Sequence, residues 1–302
     1  MEFTRPADKR NVALLVISMA LWGLSFPAVK VSLVEVQPLT LGLLRILFGA
    51  VPIAAFVFWK KGFSNILIVF KSDPKPFIGI ALAQYYLPMA AQNVGMDMMA
   101  PETAASISSI LQATSPVFGI VLAAMFLDEY LGGKKILGLV IALTGSILLV
   151  TRGGAVLGGS NLIGNLLLLS SAIFYAISGV WTKKALYKHE PIVILTLSLI
   201  ISSLLFIPTA MFNEPISQIY SISVSTWFLI LFLGVVCNGV ALLVWYTVLI
   251  KSQLSKQVLF TYLIPLFGTL FSHMFIGESI GVLTVVFGGL ILFGITVAQY
   301  DK

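Results

Sequence analysis

Residues 116–132 read PVFGIVLAAMFLDEYLG, and residues 265–281 read PLFGTLFSHMFIGESIG. At an offset of 149 residues, without a gap, Pro116, Phe118 and Gly119 fall on Pro265, Phe267 and Gly268. The same register places Met125-Phe126 on Met274-Phe275, Glu129 on Glu278, Gly132 on Gly281 and Gly145 on Gly294. An apolar chain produces chance leucine and valine matches easily. It does not as easily produce a proline, a Phe-Gly, a Met-Phe, a glutamate and a glycine in one register. Self-similarity at this scale reads as two copies of one structural unit.

Working outward, an offset of 153 residues aligns the earlier part of each copy. It places Trp22-Gly23 on Tyr175-Ala176, Ser25 on Ser178, Lys30 on Lys183 and Pro38 on Pro191. The four-residue difference between the offsets is absorbed by a shorter connection between the seventh and eighth apolar segments of the chain. Residues 10–151 and 160–300 are thus two units of one pattern.

Composition decides the solvent of both units. Of 302 residues, 59% are hydrophobic and 10% charged, with a mean hydropathy of +1.03. A soluble domain carries about 25% charged residues, so these side chains cannot cover a water-facing surface, and the lipid bilayer must be the chain's main partner. Apolar segments run near 12–34, 39–59, 77–95, 101–126, 134–151, 162–186, 191–212, 225–248, 256–276 and 280–299. Each approaches the roughly 20 residues that a spanning helix needs. Pro38 and Pro191 open segments where a missing N–H costs nothing, while Asp73-Pro74-Lys75-Pro76, Gly132-Gly133 and Gly153-Gly154 mark turns. The expected fold is therefore an all-α integral membrane protein with ten spanning helices. The first apolar run follows Arg5, Lys9 and Arg10 but lacks a small-x-small cleavage site, so it is read as a retained span.

Charge asymmetry orients the spans. With the N-terminus inside, 15 of the 18 Lys and Arg lie on the inner side, Lys30 and Arg152 outside, and Arg45 within a span. The positive-inside rule then puts both termini in the cytoplasm of a cell-membrane protein. This placement, beside the membrane, removes the nucleic-acid reading of the net charge of +6. Because five is odd, the second unit enters from the opposite face, so the two units are inverted repeats of the kind found in many secondary transporters.

Two five-helix units resemble the drug/metabolite transporter superfamily when each has an aromatic residue followed by a small one in its first helix. So does Pro-x-Phe-Gly in each fourth helix with a glutamate 13 residues after the proline. Within it, the chain is similar to the EamA-domain branch, which includes YddG-like amino-acid and metabolite exporters. The resemblance implies transport by alternating access and leaves the substrate open, since such proteins carry amino acids, nucleotide precursors, sugars and quaternary amines.

Polar groups at membrane depth are expensive and mark candidate sites. Ser108 and Gln112 share a face of the fourth span, as do Gln257 and Thr261 in the ninth, and the 149-residue offset superposes the pairs. They line a cavity or bond helices together; both readings stand. The third span carries Gln84, Tyr85, Met89, Gln92 and Asn93, too polar for a lipid-facing helix, and the eighth carries Asn238 and Trp245 on one face. Met89 falls on Asn238 and Met96 on Trp245. Trp22 with Ser25, and their repeat partners Tyr175 with Ser178, form an aromatic pair that suits either a flat or cationic substrate or packing between the units.

Single ionisable groups receive structural roles. Arg45 pairs with Glu35 or snorkels, His273 is a core group, and Glu129 and Glu278 cap the N-terminus of the next helix. Cys237 stands alone as a small core residue, without a disulfide or metal partner. No acid pair, His/Cys cluster, phosphate loop or nucleophile–base pattern supports an intramembrane enzyme, and no cofactor or metal is expected. The expected function is a secondary transporter, exporter or facilitator, for a small neutral or zwitterionic metabolite, as monomer or homodimer. A quaternary-amine or drug transporter of the same fold is the alternative, and a receptor or channel a more distant one.

Overall fold

A computed structural model describes residues 9–99, 108, 111–151, 162–276 and 282–300. Among them every regular element is helical. The helices follow nine of the ten apolar runs closely; most of the first half of the run near 101–126 lies outside the described residues. They are α1 (Lys9–Ser32), α2 (Pro38–Lys61), a short α3 (Phe63–Ser72) and α4 (residues 74–97). After these come α5 (Ser115–Leu127), α6 (Gly133–Thr151), α7 (Leu162–Ala185) and α8 (Pro191–Asn213). The chain closes with α9 (Val224–Leu249), α10 (residues 254–276) and α11 (Val282–Gln299). Five of the described helices, α1, α2, α7, α8 and α9, are long and apolar enough to cross a membrane. Large apolar side chains stand on the outer surface, among them Trp59, Phe212 and Phe228. That surface is stable only against lipid.

Two features escaped the sequence reading. The connection between α2 and α4 is not a plain loop but the amphipathic α3, which buries Ile66 and exposes Phe63 and Ile68. The connection between α8 and α9 holds only a 3-10 turn, Ile216–Ser221, and is the shorter connection expected from the difference between the two sequence offsets. In addition, α4 and α9 are not uniform helices. Ala81–Tyr86 in α4 and Phe232–Ala241 in α9 are π-helical. π turns occur mostly as local bulges and often at functional sites; the 149-residue offset brings the first of these onto the start of the second.

Helix ends are closed by partners from far along the chain. The carboxylate of Glu214 accepts from the backbone N–H of Leu39 (2.8 Å) and Thr40 (2.7 Å), the open donors at the start of α2. Glu35 accepts from the backbone N–H (2.8 Å) and hydroxyl (2.9 Å) of Ser223 at the start of α9. Glu129 accepts from the N–H of Leu254 (2.7 Å) and Ser255 (2.8 Å). It therefore caps α10, which lies more than a hundred residues away, and not the next helix as expected. Glu278 and the side chain of His273 lie outside the described residues.

The packing pairs distant helices in a reciprocal way. α1 packs on α10 and α7 on α5; α2 packs on α9 and α8 on α4; α4 packs on α7 and α9 on α1; α2 packs on α8. α6 lies along α11, and their outer faces expose Leu137, Val140, Val285 and Phe293. At the α2–α9 crossing the backbones approach so closely that a Cβ on Gly234 would meet the Arg45 carbonyl at 2.7 Å, and one on Gly49 the Gly234 carbonyl at 2.9 Å. Small residues at a helix crossing give this close contact inside a membrane.

Candidate functional site

Between α1, α2, α4, α5, α7, α9 and α10 lies a cavity of about 170 Å³. Nine of the residues singled out from sequence line it: Trp22, Ser25, Gln84, Gln92, Gln112, Tyr175, Asn238, Trp245 and Thr261. The other four are not among the lining residues. Tyr85 is fully buried and pairs with the Tyr246 hydroxyl at 3.4 Å. Ser108 is buried, its hydroxyl without a described partner. The Ser178 hydroxyl reaches Gln84 Oε1 and the Tyr175 carbonyl, the latter at 2.7 Å. Gln257 donates from Nε2 to the Trp245 carbonyl (2.9 Å) and accepts from Ser252 (2.5 Å); its amide joins helices and does not face the cavity.

One wall is an amide seam between α4 and α7. Gln84 sits on the π turn of α4, held by Ser178, and Tyr175 points its hydroxyl at Gln92 Oε1 at 3.5 Å. Asn93, on the same helix, turns away and donates to the Pro38 carbonyl (3.0 Å), anchoring α4 to α2. A second wall is an aromatic seam between α1 and α9. The indole N–H of Trp22 donates to the Cys237 carbonyl at 3.1 Å, and the Trp22 and Trp245 rings lie 5.6 Å apart, inclined by 53°. The Cys237 carbonyl belongs to the π turn of α9. Beside it Asn238 lines the cavity with its Nδ2 unpartnered among the described residues.

Gln112, just ahead of α5, and Thr261 on α10 bear on the alternative left open by their spacing. Gln112 lines the cavity and also donates from Nε2 to Ser171 on α7 at 2.8 Å, so it does both jobs. Thr261 lines the cavity and donates its hydroxyl to the Val258 carbonyl at 2.7 Å, so its oxygen keeps its capacity to accept. Each is followed one turn later by a proline, Pro116 or Pro265, that has no N–H to give to the carbonyl of Gln112 or Thr261.

Sequence reasoning misjudged Arg45. It does not pair with Glu35, whose carboxylate is engaged by Ser223, and it does not snorkel. Its side chain is 6% exposed and lines the cavity, with Nε and Nη1 lacking partners among the described residues. Cys237 and Thr182 also line the cavity. The signal for Arg45 was present, since it is the one basic residue read as lying inside a span. No pattern of residue types announces the π turns.

The chain belongs to the EamA-like transporter family, which matches residues 9–151 and again 162–299. It is a multi-pass membrane transporter, and neither the family nor its named relatives are enzymes. The chain is 26% identical over 288 residues to an uncharacterized transporter of Archaeoglobus fulgidus, covering 94% of this chain and 95% of that one. It is 26% identical over 300 residues to a probable amino-acid metabolite efflux pump of Escherichia coli, covering 95% and 94%. A solved crystal structure superposes with a TM-score of 0.78 at 16% identity, covering 96% of this chain and 97% of that one. That likeness speaks to the fold alone.

Proposed function

We propose that the chain is a secondary transporter, exporter or facilitator, of small neutral or zwitterionic metabolites such as amino acids, working by alternating access. The observation that carries this reading is the double origin of the cavity wall. Trp22 and Tyr175, Gln112 and Thr261, and Met89 and Asn238 occupy equivalent positions in the two halves, and all six line the same space. A site between inverted repeats is what rocking of one bundle against another requires. The reading takes residues 10–151 and 160–300 as two five-helix units, inverted in a ten-helix cell-membrane protein with both termini cytoplasmic. The two separate family matches and the reciprocal packing support it. One chain supplies all the described lining residues, and the outer faces of α6 and α11 are where a homodimer would form.

Size favours the amino-acid class over a drug-like one. An apolar cavity of about 150 Å³ accommodates benzene, whereas pockets for drug-sized ligands run to roughly 300–1,000 Å³. The relatives named as probable amino-acid metabolite efflux pumps support the same class. A quaternary-amine or drug transporter is the second reading, favoured by the Trp22–Trp245 pair.

Uptake into proteoliposomes, screened over amino acids, nucleosides and quaternary amines, tests the substrate class, with amino acids expected to be carried. Reporter fusions after Lys75 and Lys188 should read cytoplasm, and those near Gly153 and Glu214 the outside. A cytoplasmic signal at Gly153 would overturn the five-plus-five arrangement.

A further inference from the structure

Resting on that reading of the cavity, we infer that Arg45 is the substrate's carboxylate anchor, so that the cargo carries one carboxylate that docks on the α2 side of the cavity. The other buried cations among the described residues show what a structural cation looks like here. Lys183 donates to the carbonyls of Leu249 (2.6 Å) and Ser252 (2.7 Å) and closes the C-terminal end of α9. Lys135 donates to the Tyr130 carbonyl (2.7 Å) and the Ser255 hydroxyl (3.0 Å). Both are spent on the fold. Arg45 is different. It is buried in the cavity wall with Nε and Nη1 unpartnered among the described residues, although a guanidinium is permanently charged and carries five N–H donors.

The groups that feel its charge are the Tyr175 phenol and the Cys237 thiol. Both are essentially uncharged at neutral pH, and no Asp or Glu lines the cavity among the described residues. A buried charge without a counter-ion is costly. A ligand carboxylate supplies the missing charge, and the planar fork of arginine matches it with two parallel hydrogen bonds. One cation accommodates one carboxylate, which leaves phosphate esters and dianions under-compensated. An ammonium on the same substrate meets no acid. It falls to the side-chain carbonyls of Gln84, Gln92 and Asn238 or to the indole faces, which all border the same space.

The test uses the full-length protein in proteoliposomes and three radiolabelled mixtures. They are the proteinogenic amino acids, their decarboxylated amines and their deaminated 2-oxo acids. The wild type is expected to carry the amino acids, to be competed by the 2-oxo acids and to ignore the amines. Arg45→Gln should lose amino-acid affinity by about 10- to 150-fold, the range for a hydrogen bond to a charged group, and Arg45→Lys by less, since charge remains while the fork is lost. Both variants are checked for folding by melting temperature and elution volume. If Arg45→Gln does not fold, the wild-type competition pattern decides on its own. Transport of the amines as readily as the amino acids, or unchanged affinity in a folded Arg45→Gln, overturns the anchor while leaving the transporter reading intact. Uptake of none of the three mixtures overturns the amino-acid reading itself, and the anchor with it.

Discussion

The two seams that wall the cavity are built on helices that the sequence offsets superpose, and they do different chemistry. α4 packs on α7 as α9 packs on α1, and both α4 and α9 loosen into a π turn at the cavity. In the first seam the loosened turn presents an amide side chain, Gln84, which Ser178 holds. In the second the π turn of α9 presents a backbone carbonyl, Cys237, which the Trp22 indole occupies. One wall is thus polar and the other aromatic. A cavity with two unlike walls can orient a small asymmetric substrate, which a symmetric one cannot.

The largest expected effects come from removing polar groups of each wall. Gln84→Ala and Asn238→Ala should each weaken substrate binding by about 1–3 kcal/mol, the cost of stranding a buried group, with little change in melting temperature. The substrate-induced rise in melting temperature measures this. Ser178→Ala should reproduce part of the Gln84 effect, because it only holds that amide. Equal losses from Ser178→Ala and Gln84→Ala would mean that the first seam is a packing contact, and the contrast between the walls would collapse.

A smaller effect separates cavity lining from glue. Gln257 shares the polar pattern of Gln112 but spends both ends of its amide on Trp245 and Ser252. Gln257→Ala should lower stability by about 0.6 kcal/mol, the average for interhelical bonds in a membrane, and leave substrate affinity unchanged. A shifted affinity with normal stability would place this face of α10 in the site.

The smallest effect lies outside the membrane, where the second seam is tied down. The backbone N–H of Ser223, then its hydroxyl, hold the Glu35 carboxyl below its ordinary value of 4.5. A depressed carboxyl stabilises the fold while ionised, so the contribution is full above the ordinary value and is lost as pH falls through the depressed one. Melting curves between about pH 3 and pH 6 should show the wild type losing more stability on acidification than Glu35→Gln. Parallel curves would show that this cap does not fasten α9.

Much of the molecule was legible in residue types. The helix runs were readable because in a bilayer every backbone group must be satisfied within its own segment, so a span declares itself locally. The cavity list was partly readable for a related reason. Amides and hydroxyls placed at membrane depth must face something other than lipid, which is why Gln84, Gln92, Gln112 and Asn238 were found. Residue type does not say which polar group is already satisfied. Tyr85 and Gln257 look like lining residues in sequence and are occupied by Tyr246, Trp245 and Ser252 in the fold. Arg45 looks structural in sequence, and its Nε and Nη1 are left without partners among the described residues.

The sequence by itself determined the solvent, the helical class and the repeated pattern, because these follow from composition, run length and register along one chain. Only the tertiary structure decided which helix closes which. Glu129 caps α10, Glu214 caps α2, and Glu35 holds the start of α9. A carboxylate chooses among open helix ends by distance, and distances across the bundle are set by the packing of whole helices. The π turns belong to the same class, since a helix gains an extra residue in a turn where its neighbours offer a donor to the loosened carbonyl, as Trp22 does for Cys237.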